Sequence, residues 1–228
     1  MAQRTFILGT DTDVGKTFIA GLLAHSLVRR VGAGKVGVYK PVASGCLNGD
    51  GILISEDALV LWKAAGCPLT LDDVCPQRFL APLSPPRAAE SENRRIDIDQ
   101  IHRGLETWTD RFPHVIVEGA GGLLSPLADG LLNADFLAAT DSQFVLVAAN
   151  RLGVINHILS AVEVCRYRLN RLPLAIVMNQ TMPEPCASVA TNVPELRRYI
   201  TDIPILQVGY AQRDIETSTG ASALLEQM

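Results

Sequence analysis

"GTDTDVGKT", residues 9–17, follows directly on a short apolar run and decides how the chain is read. A phosphate-binding loop is usually spelled G-x-x-x-x-G-K-[ST], with four residues between its first glycine and the Gly-Lys pair. Counting back from Gly15, Lys16 and Thr17 puts that glycine at position 10, where this chain has Thr10; Gly9 comes one residue early. A strict spelling rejects the stretch, but the chemistry does not. Holding a triphosphate needs backbone N–H groups at a helix start, a lysine reaching the terminal phosphates and a hydroxyl for Mg²⁺. Gly15, Lys16 and Thr17 supply these, and Gly9 can begin the backbone path one residue sooner. The blander alternative, a glycine-bearing helix start with an incidental lysine, loses ground once a strand precedes the loop and a helix follows it.

The pattern around the loop continues to the end of the chain. "TFILGT" (5–10), "KVGVYKPV" (35–42), "HVIVEGA" (114–120), "QFVLVAAN" (143–150), "LAIVMNQ" (174–180) and "IPILQVGY" (203–210) read as strands. Their apolar residues run almost without interruption, as in strands buried on both faces. Segments with helical spacing lie between them: 15–31, 55–66, 98–112, 133–141 and 154–172. Strand–helix alternation of this kind predicts an α/β fold, a mostly parallel sheet flanked by helices on both faces. We expect one phosphate-loop ATPase-like domain over residues 1–228, with the Pro-rich "APLSPPRAAE" (81–90) as a long loop inside it.

The 228 residues carry 48% hydrophobic and 19% charged side chains, an ordinary globular composition. A net charge of −4 argues against broad binding to nucleic acid or acidic membranes, which needs clustered Lys and Arg. No apolar stretch approaches the ~20 residues that span a bilayer, and "MAQRTFILGT" lacks the apolar core of a secretory signal. The five cysteines contain no C-x-x-C spacing, which fits neither a disulfide framework nor a zinc site. We expect reduced thiols in a cytoplasmic protein.

In such a sheet, ligands bind beyond the carboxyl ends of the strands. Lys40 stands where the second strand stops, and Pro41 fixes the turn after it. A strand-end lysine alone is often a surface residue; beside a phosphate loop it faces the same crevice. Glu118 ends the third strand and precedes three glycines that let a ligand approach the backbone. Mg²⁺ takes acidic oxygens one or two at a time alongside phosphate. In "SEDALVL", Ser55 as helix cap and the helix dipole account for Glu56 and Asp57 without any function. Asn150, Asn156, Asn179 and Gln180 sit at strand ends or helix starts and serve equally as caps or turn residues. Asn179 is the most informative of them, because an amide can read the edge of a purine.

Taken together and in order, "GTDTDVGKT", "YKPVASG", "SEDAL", "VEGAGG" and "RLGVINH" resemble the dethiobiotin synthetase family, from about residue 5 to about 180. That family spells its loop G-T-D-T-[DE]-V-G-K-T, so the broken spelling is its own version. The resemblance implies an ATP- and Mg²⁺-dependent ligase of biotin biosynthesis. It joins 7,8-diaminononanoate and CO₂ (bicarbonate in solution) through a carbamate and a carbamic–phosphoric anhydride, giving dethiobiotin, ADP and phosphate. It implies that Lys16 and Lys40 stabilise charge in catalysis, with Thr12 and Ser44 beside them. Nucleotide would be held by Asp13, Val14, Gly15, Lys16, Thr17, Phe18, Asp57, Glu118, Gly119, Ala120, Gly121, Asn179 and Gln180, with Thr17, Asp57 and Glu118 on the metal. Here the resemblance selects Asp57 over Glu56. The diamine would meet Lys40 and Ser44, and its far carboxylate Gly153, Val154, Ile155 and Asn156, donated by the second subunit of a homodimer. Three features depart from the family: Arg151 for lysine, Pro86 for histidine, and a poorly matching stretch after residue 203. Two other readings use the same fold. A partition-type ATP switch expects a second early lysine, and a cobyrinate-type amide ligase expects a glutamine-hydrolysing domain; neither is present in the sequence.

Overall fold

A computed structural model describes residues 2–228. Six strands form the central sheet: β1 (Gln3–Gly9), β2 (Val36–Tyr39), β3 (His114–Gly122), β4 (Gln143–Ala149), β5 (Ala175–Asn179) and β6 (Ile205–Val208). Their spatial order is β6-β5-β4-β1-β3-β2, every neighbouring pair parallel. The helices are α1 (Lys16–Val31), α2 (Glu56–Ala64), α3 (Leu71–Val74), α4 (Pro85–Ser91), α5 (Ile98–Arg111), α6 (Asn133–Ala139), α7 (Val154–Val164), α8 (Val189–Leu196) and α9 (Ala221–Gln227).

Continuous apolar strands need cover on both faces, and the packing supplies it. Leu146 and Ala148 of β4, with Ile176 and Met178 of β5, bury against Val154, Ile158 and Val162 of α7 and Val193 and Leu196 of α8. Val145, Val147 and Val177 point the other way, into the larger core with Phe6, Ile19, Leu23 and Phe136. At ~25 cal/mol per Å² of apolar surface, these interdigitated faces dominate the stabilisation of the fold.

Register then sets the functional residues side by side. Tyr39 pairs with Val117, so Lys40 and Glu118 follow one residue later on adjacent strands. Ile7 lies opposite Glu118, and Asn179 pairs with both Ala149 and Val208. The carboxyl ends of all six strands therefore open on one edge.

Four segments differ from the sequence-based expectation. The third strand does not end at Glu118, because β3 runs on through the glycines to Gly122, pairing Gly122 with Gly9. Residues 81–90 are not one long loop, because α4 starts at Pro85. Pro85 and Pro86 occupy the first helical positions, where the missing N–H groups have no intrahelical partner to lose. The helix expected over 154–172 is α-helical only to Val164; Cys165–Leu169 widen into a π turn that Asn170 ends at φ 50°. The second strand stops at Tyr39, and Val42–Ala43 leave it to pair with Gln77–Arg78.

Candidate active site

Between β1 and α1 the chain follows the sheet for one more residue, Thr10 N–H donating to the Val147 carbonyl at 2.9 Å, and then turns. A Cβ at Gly9 would fall 2.6 Å from the Asp11 carbonyl, and one at Gly15 would fall 2.1 Å from Asn179 Nδ2. Both positions therefore require glycine, and Gly15 also takes φ 87°. The early glycine is where this loop makes its close turn. Helix α1 begins at Lys16 with no side-chain cap and no acid in its first turn, an end suited to an anion.

Lys16 is buried, its ammonium donating to the Asp11 carbonyl at 3.2 Å. Burial lowers its pKa; Glu118 opposes that shift and the neighbouring Lys40 adds to it. Lys40, also buried, lies between two carboxylates, 2.7 Å from Glu118 Oε1 and 2.8 Å from Asp57 Oδ2. Burial alone would discharge Lys40, but Glu118 and Asp57 outweigh it and raise its pKa above the usual lysine value. Burial likewise works against ionised Asp57, and Lys40, with help from the Thr17 hydroxyl, holds its pKa below the usual carboxylate value.

Thr17 Oγ1 donates to Glu118 Oε1 at 2.8 Å. Glu118 itself is 1% exposed, and its second oxygen, Oε2, has no hydrogen-bond partner. A buried acceptor left bare costs ~1–3 kcal/mol, so this atom is set for a cation or a donor. Among the described residues no cluster of three or more His, Cys, Asp or Glu could hold a metal by itself. A hydroxyl and two carboxylates are hard oxygen donors that suit Mg²⁺ shared with phosphate oxygens.

These groups line a cavity of about 1200 Å³ at the carboxyl edge of the sheet. It brings together Thr12, Asp13, Gly15, Lys16, Thr17, Phe18, Lys40, Ser44, Asp57, Glu118, Gly119, Ala120, Gly121, Asn179 and Gln180. Val14 is the exception in the loop: its side chain is buried in the core, and its carbonyl accepts the Asn179 amide at 3.1 Å. Asn179 thus braces the loop with Nδ2 while Oδ1 stays buried without a partner. Asp57 reaches the site and Glu56 does not. Residues 153–156 do not line this cavity: Val154 is buried under the sheet, while Gly153 and Asn156 are exposed at the head of α7.

Sequence reasoning missed part of the wall. Ser84, Pro85, Ser125, Pro126, Thr181, Tyr210 and Ala211 also line the cavity. Tyr210 and Ala211 lie in the stretch after residue 203, next to Asn179 and Gln180, because β6 pairs with β5. Pro86, the position that departs from the family, is buried in α4, and Pro85 faces the cavity in its place. Among the described residues no helix is long and apolar enough to cross a membrane.

Comparison with known proteins gives this geometry a context. A family model described as an AAA domain matches residues 3–212. The ATP-dependent dethiobiotin synthetase BioD of Rhodopirellula baltica is 42% identical over 211 residues, covering 87% of this chain and 81% of that protein. The protein of the same name from Anaeromyxobacter dehalogenans is 39% identical over 194 residues, covering 85% and 83%. The ATP-dependent dethiobiotin synthetase BioD 2 of Haemophilus influenzae is 36% identical over 172 residues, covering 74% and 86%. Among solved structures, a ParA family ATPase from Chlorobium tepidum superposes with a TM-score of 0.51 at 16% identity, covering 99% of this chain and 88% of that one. That likeness concerns the fold alone.

Proposed function

The chain belongs to the ATP-dependent dethiobiotin synthetase family, and from that premise we propose how its residues divide the work. It is an ATP-dependent ligase of biotin biosynthesis. The switch-ATPase reading is not favoured, because its support is a likeness of fold alone.

The second substrate in our reading is 7,8-diaminononanoate carrying CO₂ as a carbamate. Gly15 and the head of α1 receive the phosphates on backbone N–H groups, and Lys16 lies over them. Thr17, Asp57 and Glu118 would hold Mg²⁺, which would supply orientation and charge screening for the phosphoryl transfer. The carbamate oxygen attacks the γ-phosphorus, the bond to ADP breaks, and a mixed anhydride forms. The second amine then attacks the carbamoyl carbon, phosphate leaves with the C–O electrons, and the ureido ring closes. Lys40 is placed for the negative charge that grows at both steps, a preorganised donor that needs no reorganisation. Thr12 and Ser44 supply hydroxyls beside it. Asn179 Oδ1, a buried acceptor without a partner, suits the exocyclic amine of adenine.

The observation that carries this reading is Lys40 held between Glu118 and Asp57, next to Thr17 and Lys16, in one cavity. The position of residues 153–156 off that cavity supports a homodimer in which the partner's α7 head takes the far carboxylate of the diamine. The cysteines are all free, and Cys46, Cys75 and Cys165 are buried, in keeping with a cytoplasmic enzyme. One domain accounts for all of these roles.

Phosphate release is measured with Mg-ATP and bicarbonate, with and without the diamine, while dethiobiotin is followed by mass spectrometry. We expect phosphate release that requires the diamine and matches product one to one. Release that is indifferent to the diamine would overturn the assignment and leave the phosphate loop standing.

A further inference from the structure

The glycine-rich stretch after Glu118 is held by a side chain to which none of these roles has been given. Asn133, the first residue of α6, is 1% exposed. Its Nδ2 donates to the carbonyls of Ala120 at 2.6 Å, Gly122 at 2.9 Å and Ser125 at 3.2 Å. Its Oδ1 accepts the Ala120 N–H at 3.2 Å. Asparagine at a helix start ordinarily caps its own helix, but here the amide serves a loop up to 13 residues upstream. The first turn of α6 is served by Asp135, which accepts the Leu132 N–H at 3.0 Å.

The clamped loop connects to the reacting region. With its carbonyls fixed, Gly122 N–H donates to Ser125 Oγ at 2.8 Å, and Leu123 N–H donates to the carbonyl of Gly9, where the phosphate loop begins, at 2.9 Å. A Cβ placed on Gly121 would fall 2.6 Å from Ser125 Oγ and 3.7 Å from Thr12 Oγ1, so these three residues form one patch of wall. Gly15 belongs to a different patch of the lining, next to Asn179 and Thr181. The nucleotide needs the Gly15 patch and the phosphate loop. What remains for the second substrate is the rest of the lining, which includes the Thr12, Gly121 and Ser125 patch together with Ser44, Ser84 and Pro85; Gly121, expected at the nucleotide, is assigned here to the diamine instead.

We propose that Asn133 is a positioning residue for the diamine: it fixes the backbone of the 120–125 loop so that the Gly121–Ser125 wall stands at the right distance from Thr12 and Lys40. It acts through the loop. The inference rests on the diamine being the second substrate.

The test compares Asn133→Ala with Thr140→Ala at the other end of α6. Thr140 is also buried, its Oγ1 donating to the Phe136 and Leu137 carbonyls at 3.0 and 3.1 Å, and it does not line the cavity. Steady-state kinetics are measured with diamine and ATP varied separately, counting phosphate and dethiobiotin in each run. Misplacing a reacting group by ~1 Å costs on the order of a hundredfold. Asn133→Ala should therefore raise the KM for diamine about ten- to a hundredfold, keep that for ATP within about threefold, and release phosphate in excess of product. Thr140→Ala should lower the melting temperature and leave both KM values in place. Equal rises for ATP and diamine, or the same kinetic pattern in both variants, would overturn the proposal. Ser125→Ala, which removes the acceptor for Gly122, gives the same contrast in milder form should Asn133→Ala fail to fold; an unchanged diamine KM there counts against the proposal. Failure of the wild-type protein to make dethiobiotin would instead strike the reading of function.

Discussion

At the phosphate end of the cavity, the charged side chains find their partners inside the chain, whereas the head of α7 faces outward. Lys40 is 5% exposed and contacts two carboxylates, and Glu118 sits beside β1 through strand register. Leu152, just before α7, is 84% exposed, and Gly153 (φ 92°) precedes the helix as its N-cap, with no side-chain cap and no acid in the first turn. The first region meets most of its charge within the chain; the second leaves an exposed helix start. Strand register supplies Lys40 and Glu118 of the first site, and the helices that follow the strands add Lys16, Thr17 and Asp57. The second kind depends on what packs against it.

The largest effect expected from any single change falls in the first region. Lys40→Ala should reduce turnover by at least about 10²–10³, the cost of losing one preorganised donor, while nucleotide binding stays largely intact. Equal loss of both, measured by titration calorimetry with ADP and by product formation, would contradict a role at the reacting carbon. Because Glu118 then loses its buried cation, the variant should also melt lower than the wild type.

Crossing the two regions gives a sharper result. If α7 of one subunit completes the cavity of the other, Asn156→Ala should raise the KM for diamine with little effect on ATP. Mixing Lys40→Ala with Asn156→Ala protein should then restore roughly a quarter of wild-type activity, since half the dimers are mixed and one of their two sites is whole. No recovery after subunit exchange would mean that each chain uses its own α7 or none. A smaller change is expected at the nucleotide end. Asn179→Ala removes the brace on the Val14 carbonyl, a loss of about 1 kcal/mol that should raise the KM for ATP several-fold and leave that for diamine unchanged.

These regions were unequally legible in the sequence. Lys16 stood out through the spelling of the phosphate loop, and Lys40 and Glu118 because a buried parallel strand is a run of apolar residues, so a charge in it or just past it needs a reason. Asp57 did not stand out from Glu56 by its own sequence context, since a helix cap explains both; the family resemblance selected it, and the fold brings it against Lys40. The two prolines that open α4 read as a loop, because proline permits a helix start as readily as it marks a turn. Tyr210 and Ser125 line the cavity through strand pairing and loop closure across distant segments. Asn133 carried a misleading signal: asparagine at a helix start is ordinarily a cap, and nothing local shows its amide bonding to Ala120.

The smallest effect is one of stability, and it compares the same two regions through their thiols. Cys75 follows Val74, whose carbonyl accepts the Lys40 N–H at 2.8 Å, and Cys165 begins the π turn that continues α7. Burial pushes both thiols up to about 12, against about 8.5 for a free cysteine. A raised folded-state pKa means that the stabilisation is whole below about pH 8.5 and is lost as pH climbs toward the folded value. Each thiol should therefore subtract up to about 1.4 kcal/mol per pH unit in that interval. Urea unfolding from pH 7.5 to 9.5 stays below the usual tyrosine and lysine values of about 10 and 10.4, where the raised Tyr39 and Lys40 begin to contribute. Cys75→Ala and Cys165→Ala should each flatten the alkaline slope by a similar amount. Cys186 is exposed and its pKa is lowered by its hydrogen bond to Ser188, so it acts in the opposite direction, and Cys186→Ala should not flatten the slope. A slope that responds to Cys165→Ala but not to Cys75→Ala would mean that the phosphate end opens to water before the chain unfolds, against the contrast drawn between a closed region and an open one.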